Sequence, residues 1–175
     1  MSSEAPVIIV RAGEQHVEVL LKLAVETFTE TFASSNSKEN LDHYMQQAFT
    51  PARLLEELRH PESEFYLASI HNQPVGYLKL NVGQAQVEMK DANSLEIERI
   101  YVLQAWHGKQ VGQVLVDLAL QRARAYRVDF VWLGVWEHNY RAMRFYERNG
   151  FRAFSQHIFQ VGDDPQTDIL MRREM

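Results

Sequence analysis

The chain of 175 residues contains no cysteine. Disulfides, thiolate metal sites and any covalent route through a cysteine acyl-enzyme are therefore excluded. Positive charge is also in short supply: 18 Lys and Arg stand against 23 Asp and Glu, a formal charge of −5. Nucleic-acid binding needs clustered cations to neutralise phosphates, so this balance argues against it. The acidity fits attraction of small cations, although many enzymes with neutral substrates are as acidic. Long apolar runs are missing too, since no segment approaches the roughly 20 apolar residues that a bilayer span requires. The opening "MSSEAPVIIVRAGEQ" has an apolar run of only four residues and no basic flank, unlike a signal peptide. A soluble cytoplasmic protein is the expectation. None of the seven histidines falls in an H-E-x-x-H or comparable ligand spacing, so no metal is expected.

What is present reads as one ordinary domain over residues 1–175. Apolar content of 46% and charged content of 23% are normal for a soluble fold of this length. "VIIVRA" (7–12) is β-branched and short, a first strand. From Gln15 to Phe32, the residues Val17, Leu20, Leu21, Ala24, Val25 and Phe28 recur at helical spacing. "KENLDHYMQQAF" (38–49) reads as a second helix, and Thr50 before Pro51 is a cap and first-turn pair opening a third. Residues 64–82 flank the turn composition "HNQP" and form a hairpin.

A polar loop, "QAQVEMKDAN", leads to a strand over 94–102 and a helix over 110–126 with the stripe Val111, Val114, Leu115, Leu118 and Ala119. "FVWLGVW" (130–136) is nearly all apolar, as a strand buried on both faces should be. Residues 139–150 form a helix with Asn139 at its cap and Gly150 at its end, and a hairpin around "GDDP" closes the chain. The order is β-ααα-ββ-βαβα-ββ, a mixed α/β sheet in one domain.

The stretch "HGKQVGQ" holds Gly108 and Gly112 at the start of an apolar-striped helix, with Lys109 between them. Unpaired N–H groups and a partial positive charge at such a start suit a phosphate. The spacing is neither that of a P-loop nor that of the dinucleotide fingerprint, and two glycines at a helix start also serve purely structural ends.

Context decides between these readings. "RIYVLQAWHGKQVGQVL" resembles the acetyl-CoA-binding motif Arg/Gln-x-x-Gly-x-Gly/Ala of the Gcn5-related N-acetyltransferases, the GNAT family. "NYRAMRFYERNGF" resembles that family's following segment. "ETFTETF", "NSKENLDHYMQQAF", "SLEIERIYV", "WLGVWEHN" and "GDDPQTDILM" extend the likeness over nearly the whole chain, to the bacterial PaiA-type spermidine/spermine acetyltransferases.

The resemblance implies the GNAT fold: a mixed, mostly antiparallel sheet of about seven strands with helices on both faces. It also implies acetyl-CoA as cosubstrate, direct attack by an amine in a ternary complex, and frequent dimerisation, for which the sequence marks no interface. His107 stands where the motif has Arg or Gln, and Gln110 at its first glycine, while Gly112 fits the second. Because the family holds pyrophosphate by backbone N–H groups, the segment His107, Gly108, Lys109, Gln110, Val111, Gly112 and Gln113 is expected to keep that role, with Gln110 helical. His107 can still donate from a ring nitrogen. Lys109 and Arg148 are candidate phosphate cations, each otherwise a surface charge. Asn139 caps its helix and is a candidate pantetheine contact.

Acetyl transfer needs a base for the amine, polarisation of the thioester carbonyl and a proton for the leaving thiolate. Glu96 and Glu98, two apart on one strand, share a face, and like charges raise at least one carboxylate pKa. The alternative is a solvated strand face beside Arg99. By motif spacing Glu96 matches the family's base, with Glu98 acting instead, through a water, or binding an ammonium. A strand bulge implied by the resemblance would spoil simple alternation. The resemblance assigns the carbonyl and pantetheine contacts to backbone N–H groups of Ile100, Tyr101 and Val102, and the acid to Tyr146. Tyr146 otherwise reads as an aromatic packed beside Phe145 and Phe151.

For the acceptor, Glu26 and Glu30 lie at i and i+4 beside Phe28 and Phe32, with Asp42, Tyr44 and Trp136 elsewhere. Carboxylates with aromatic walls suit a linear polycation, though an acidic helix surface over buried aromatics has the same composition. The polyamine reading rests on the whole-chain resemblance. Protein N-termini, lysine side chains, amino-sugar antibiotics and small metabolites are the other acceptors in view. A CoA-sensing module without turnover and a partner-binding domain are the non-enzymatic ones.

Overall fold

The computed structural model describes residues 4–90 and 92–175. Asp91, within the expected polar loop, and residues 1–3, within the opening segment, lie outside that range. Strand β1 (Ile8–Arg11) leads through one turn of 3-10 helix (Glu14–His16) into α1 (Val17–Phe32). Helices α2 (Lys38–Ala48) and α3 (Pro51–Arg59) follow, then the hairpin β2 (Ser63–Ile70) and β3 (Gln73–Val82). The second half runs β4 (Ser94–Val102), α4 (Val111–Tyr126), β5 (Phe130–Trp136), α5 (Tyr140–Arg148), β6 (Arg152–Val161) and β7 (Asp164–Glu174).

The helix starts follow local chemistry. Ser37 Oγ accepts from the Asn40 N–H at α2, and Thr50 Oγ1 accepts from Arg53 N–H ahead of Pro51 at α3. Asn139 Oδ1 accepts from the Ala142 N–H at α5. The β2–β3 turn is tighter than "HNQP" implies. His71 and Asn72 alone make it, both at positive φ, and Gln73 and Pro74 already belong to β3.

The seven strands form one sheet in the order β1-β2-β3-β4-β5-β7-β6, in which only β4 and β5 pair in parallel. Residues of β2 alternate between two apolar clusters, which places helices on both faces. Phe65 and Leu67 meet Leu20, Leu23 and Leu54 of α1 and α3, whereas Tyr66 and Ala68 share a cluster with Leu115, Ala119 and Ala123 of α4. A third, smaller cluster of Phe28, Phe32, Leu41 and Val161 joins α1 and α2 to β6.

Two irregularities shape the centre of the sheet. Lys79 pairs with Arg99 but Leu80 pairs with Ile97, so Glu98 is an extra residue on β4 and the strand bulges there. On its other side β4 pairs with β5 only from Ser94↔Phe130 to Ile97↔Leu133, and past Ile97 and Leu133 the two strands part. Among the described residues no helix is long and apolar enough to cross a membrane.

Candidate active site

A cleft of about 740 Å³ opens where β4 and β5 part. One wall carries Glu98, Ile100, Tyr101 and Val102 of β4, and the other Gly134, Val135 and Trp136 of β5. The start of α4 closes one end; Glu30, Thr31 and Phe32 of α1 close the other.

At the α4 end the chain departs from the expected geometry. Gln110 is not helical: it is the N-cap, with φ 68° and ψ 6°, the left-handed region that favours glycine. Gly108 is left-handed too, at φ 77°. Glutamine thus stands in a left-handed turn at the position where the family motif has glycine. No side chain caps the helix, so the first-turn N–H groups of Val111, Gly112 and Gln113 lack the partner a cap would supply. A left-handed residue followed by right-handed ones also turns successive N–H groups toward one point, a concavity suited to an anion. The site therefore fits a pyrophosphate. A Cβ on Gly108 would meet nothing within 4 Å, and one on Gly112 would make ordinary contact with Phe145 at 3.6 Å, so neither glycine is required for want of space.

The cations at this end differ from those expected. Lys109 is exposed and is not part of the cleft wall, while Arg148 and Arg141 are. His107 lines the cleft but both ring nitrogens are engaged: Nε2 lies 2.8 Å from the Val102 carbonyl, and Nδ1 bonds the Arg141 guanidinium. A carbonyl only accepts and a guanidinium only donates, so Nε2 carries the proton and Nδ1 accepts. His107 thus holds Arg141 at the cleft in place of donating to a phosphate itself. Nothing local in "NYRAMRF" announces that contact, which needs the α5 start to lie against the loop before α4.

The paired glutamates separate in role. Glu98 lines the cleft; Glu96 does not. Glu96 is 4% exposed, and its Oε1 accepts from Asn81 Nδ2 at 2.9 Å and from the Val87 N–H at 3.0 Å. It ties the β3–β4 loop to the sheet from behind the cleft wall. Burial pushes its carboxyl up to about 7 against those two hydrogen bonds, with the Glu98 charge a lesser contribution. The expected like-charge effect is present but subordinate. Glu98 behaves oppositely: burial would raise it, but Arg99 and Lys79 outweigh burial and hold it below the usual carboxylate value. Lys79 pairs with both Glu98 and Glu57, and Arg99 NH1 lies 2.9 Å from Glu57, so Glu98 sits in an ion-pair network.

Tyr146 of α5 lines the cleft, is 7% exposed and packs near Phe145 and Phe151. Burial raises its phenol well above the ordinary value, so it is protonated at neutral pH. Asn139 lines the cleft as well as capping α5.

At the α1 end, Glu30 lines the cleft and its Oε2 accepts from the Gln104 N–H at 2.8 Å. Trp136 also lines it, its Nε1 donating to Gln166 Oε1 at 2.7 Å. Three expected acceptor residues are elsewhere. Glu26 lies 3.9 Å from Lys22 on the outer side of α1, and Phe28 is buried in the third apolar cluster, stacked on Tyr44 at 4.9 Å. The aromatic spacing of α1 reflects packing at Phe28, and only Phe32 reaches the cleft. Asp168 of β7, read from the sequence only as part of a closing strand, completes the acidic lining.

The acetyltransferase (GNAT) family profile matches residues 18–151. An uncharacterized N-acetyltransferase of Lactobacillus delbrueckii subsp. lactis is 37% identical over 95% of this chain and 96% of its own length. The spermidine N(1)-acetyltransferase of Thermoplasma acidophilum is 23% identical, over 91% of this chain and 92% of that protein. Among solved structures, the PaiA N-acetyltransferase of Thermoplasma acidophilum in complex with coenzyme A superposes with a TM-score of 0.80 at 20% identity, covering 97% of this chain and 99% of that one.

Proposed function

Because this chain belongs to the acetyltransferase (GNAT) family and is thereby an acetyl-CoA-dependent acyltransferase, we propose that it acetylates a primary amine of a polyamine such as spermidine or spermine. The observation that carries the proposal is the two-ended cleft: an uncapped helix start with Arg141 and Arg148 at one end, and Glu30, Glu98 and Asp168 with the aromatic walls Phe32 and Trp136 at the other. A chain of ammonium groups separated by methylenes suits a lining that combines carboxylates with apolar walls. The distant likeness to a spermidine N(1)-acetyltransferase supports the same acceptor. Residues 1–175 act as one cytoplasmic acetyltransferase domain in this proposal.

Acetyl-CoA supplies the activated acetyl group. The N–H groups of Val111, Gly112 and Gln113 and the left-handed turn at Gly108 and Gln110 bind its pyrophosphate, with Arg141 and Arg148 beside them. Backbone N–H groups of Ile100 and Val102 orient the pantetheine arm and the thioester carbonyl along the strand edge that β5 leaves unpaired, while the intervening Tyr101, whose own N–H turns toward β3, holds that edge in place. Asn139 contributes a polar contact from the facing side. Tyr146 donates a proton to the leaving sulfur. Glu98, held ionised by its cationic neighbours, attracts the substrate ammonium; a carboxylate so stabilised is a weak base.

The test is free-thiol release from acetyl-CoA with spermidine, spermine, a lysine peptide and an aminoglycoside offered separately. Saturable release with the polyamines is expected. Release with another amine alone would reject the polyamine acceptor, and tight acetyl-CoA binding with no release on any amine would favour a sensing module.

A further inference from the structure

The two glutamates of β4 leave the proton of the acceptor ammonium without an evident taker, since one lies behind the cleft and the other, held ionised by Lys79 and Arg99, is a weak base. Asp168 lies in the cleft, and among the described residues no Lys or Arg pairs with it. On β7 it pairs with Trp136 of β5, and its carboxylate lies over Gly134, the first residue past the point where β4 and β5 part. A Cβ at Gly134 would come within 3.2 Å of Asp168 Oδ2. The one glycine in the otherwise apolar strand β5 therefore leaves the space this carboxylate occupies.

A route leads away from it. His157 of β6 stands opposite Asp168 in the β6–β7 pairing, with Nε2 3.9 Å from Oδ2. Its Nδ1 is buried without a hydrogen-bond partner and lies 3.5 Å from Glu88 Oε1, on the partly exposed β3–β4 loop. Asp168, His157 and Glu88 thus form a row from the cleft to the surface.

We propose that Asp168 is the catalytic base that takes the proton from the acceptor ammonium, with His157 as the positioning residue behind it. The inference rests on the acetyltransferase reading above and adds the base to it. Of the three ammonium protons, one passes to the Asp168 carboxylate and leaves toward solvent past His157 and Glu88. The freed nitrogen lone pair forms the C–N bond as the thioester C–S bond breaks. The sulfur keeps that electron pair and takes a proton from Tyr146, which recovers one from the nitrogen; the third stays on the amide. The products are the acetylated amine, the free thiol and one proton.

Burial pushes Asp168 up to about 6, with His157 pulling the other way. That value suits a base working near neutrality better than an ordinary aspartate does. Burial raises the phenols of Tyr101 of β4 and Tyr44 of α2, and the Asp168 carboxylate adds to both; Glu30 of α1 and Glu98 of β4 share its cleft. Asp168 works as the carboxylate, so kcat/KM falls as pH drops through about 6.

The test compares wild type, Asp168→Asn and His157→Gln in thiol release with spermidine between pH 5 and 9, together with calorimetric binding of acetyl-CoA and of spermidine to the enzyme–coenzyme A complex. Asp168→Asn is expected to lower turnover roughly 100-fold or more, to lose the acid limb, to weaken spermidine binding about tenfold and to keep its acetyl-CoA affinity. Removing His157 lifts its downward pull, so the limb of His157→Gln moves to higher pH. Wild-type turnover, limb and spermidine affinity in Asp168→Asn overturn the inference and leave the acetyltransferase reading standing. If Asp168→Asn also loses acetyl-CoA affinity, His157→Gln decides: a limb moved upward supports the base, and an unmoved limb overturns it. A wild-type enzyme that releases no thiol with any amine removes the functional reading, and this inference with it.

Discussion

The two ends of the cleft are built on different principles. The proposed coenzyme end is a contiguous run from His107 to Gln113 whose useful groups are backbone N–H, oriented by a left-handed turn and an uncapped helix. The proposed acceptor end is made of side chains from α1, β4, β5 and β7 that meet only because the sheet order brings them together. A site made of backbone tolerates glutamine where a glycine is usual, provided the φ angle is kept. A site made of carboxylates depends on which residue carries each one and on what neutralises it, as the contrast between Glu98 and Asp168 shows.

Substitutions at the two ends should therefore separate affinity from turnover. The largest effect falls on Tyr146→Phe, which removes the proton donor while keeping the packed ring: turnover should fall about 100-fold with acetyl-CoA affinity unchanged, and full activity would remove its acid role. Next is Gly112→Asp. The added carboxylate faces the pyrophosphate site at a helix start, and acetyl-CoA affinity measured by calorimetry should weaken about tenfold, or roughly 1.4 kcal/mol. Gly112→Ala is the control, because a Cβ there makes only ordinary contact with Phe145.

Smaller effects sharpen the account of each end. Glu96 holds its proton more tightly when folded than unfolded, so between about 4.5 and about 7 its ionisation lowers stability as pH rises. Glu96→Gln should flatten that slope in thermal melts recorded across this range, and should retain turnover, since the residue lies behind the cleft. An unchanged slope would mean that the burial at Glu96 is relieved in solution. The smallest expected effect is that of Gln110→Gly. It relieves a left-handed non-glycine at the cost of backbone entropy, for a net gain of about 0.5–1 kcal/mol in denaturant melts, with acetyl-CoA affinity preserved.

The same contrast explains what could be read from the sequence. Element order followed from periodicity, since α4 and β5 carry nearly uninterrupted patterns, and Thr50 and Asn139 mark the starts of α3 and α5 chemically. The helix start at residues 108–113 was legible because it is local, although the backbone angle at Gln110 was not: a glutamine gives no sign that it adopts a glycine conformation. Burial of Glu96 depends on Asn81 and the Val87 N–H across the β3–β4 loop, a contact no spacing on β4 encodes. Phe28 and Phe32 look alike on a helical wheel, yet a neighbouring helix covers the first and a cleft borders the second. Asp168 was invisible as a site because a lone aspartate in "QTDILM" gains meaning only through Gly134 on one neighbouring strand and His157 on the other.

The most direct test of the account measures initial velocities of thiol release with acetyl-CoA and spermidine varied together. Direct transfer between the two ends of one cleft predicts saturation in both substrates and lines that intersect in the double-reciprocal plot, as a ternary complex requires. Parallel lines would contradict direct attack, and release that does not depend on spermidine would contradict the polyamine acceptor.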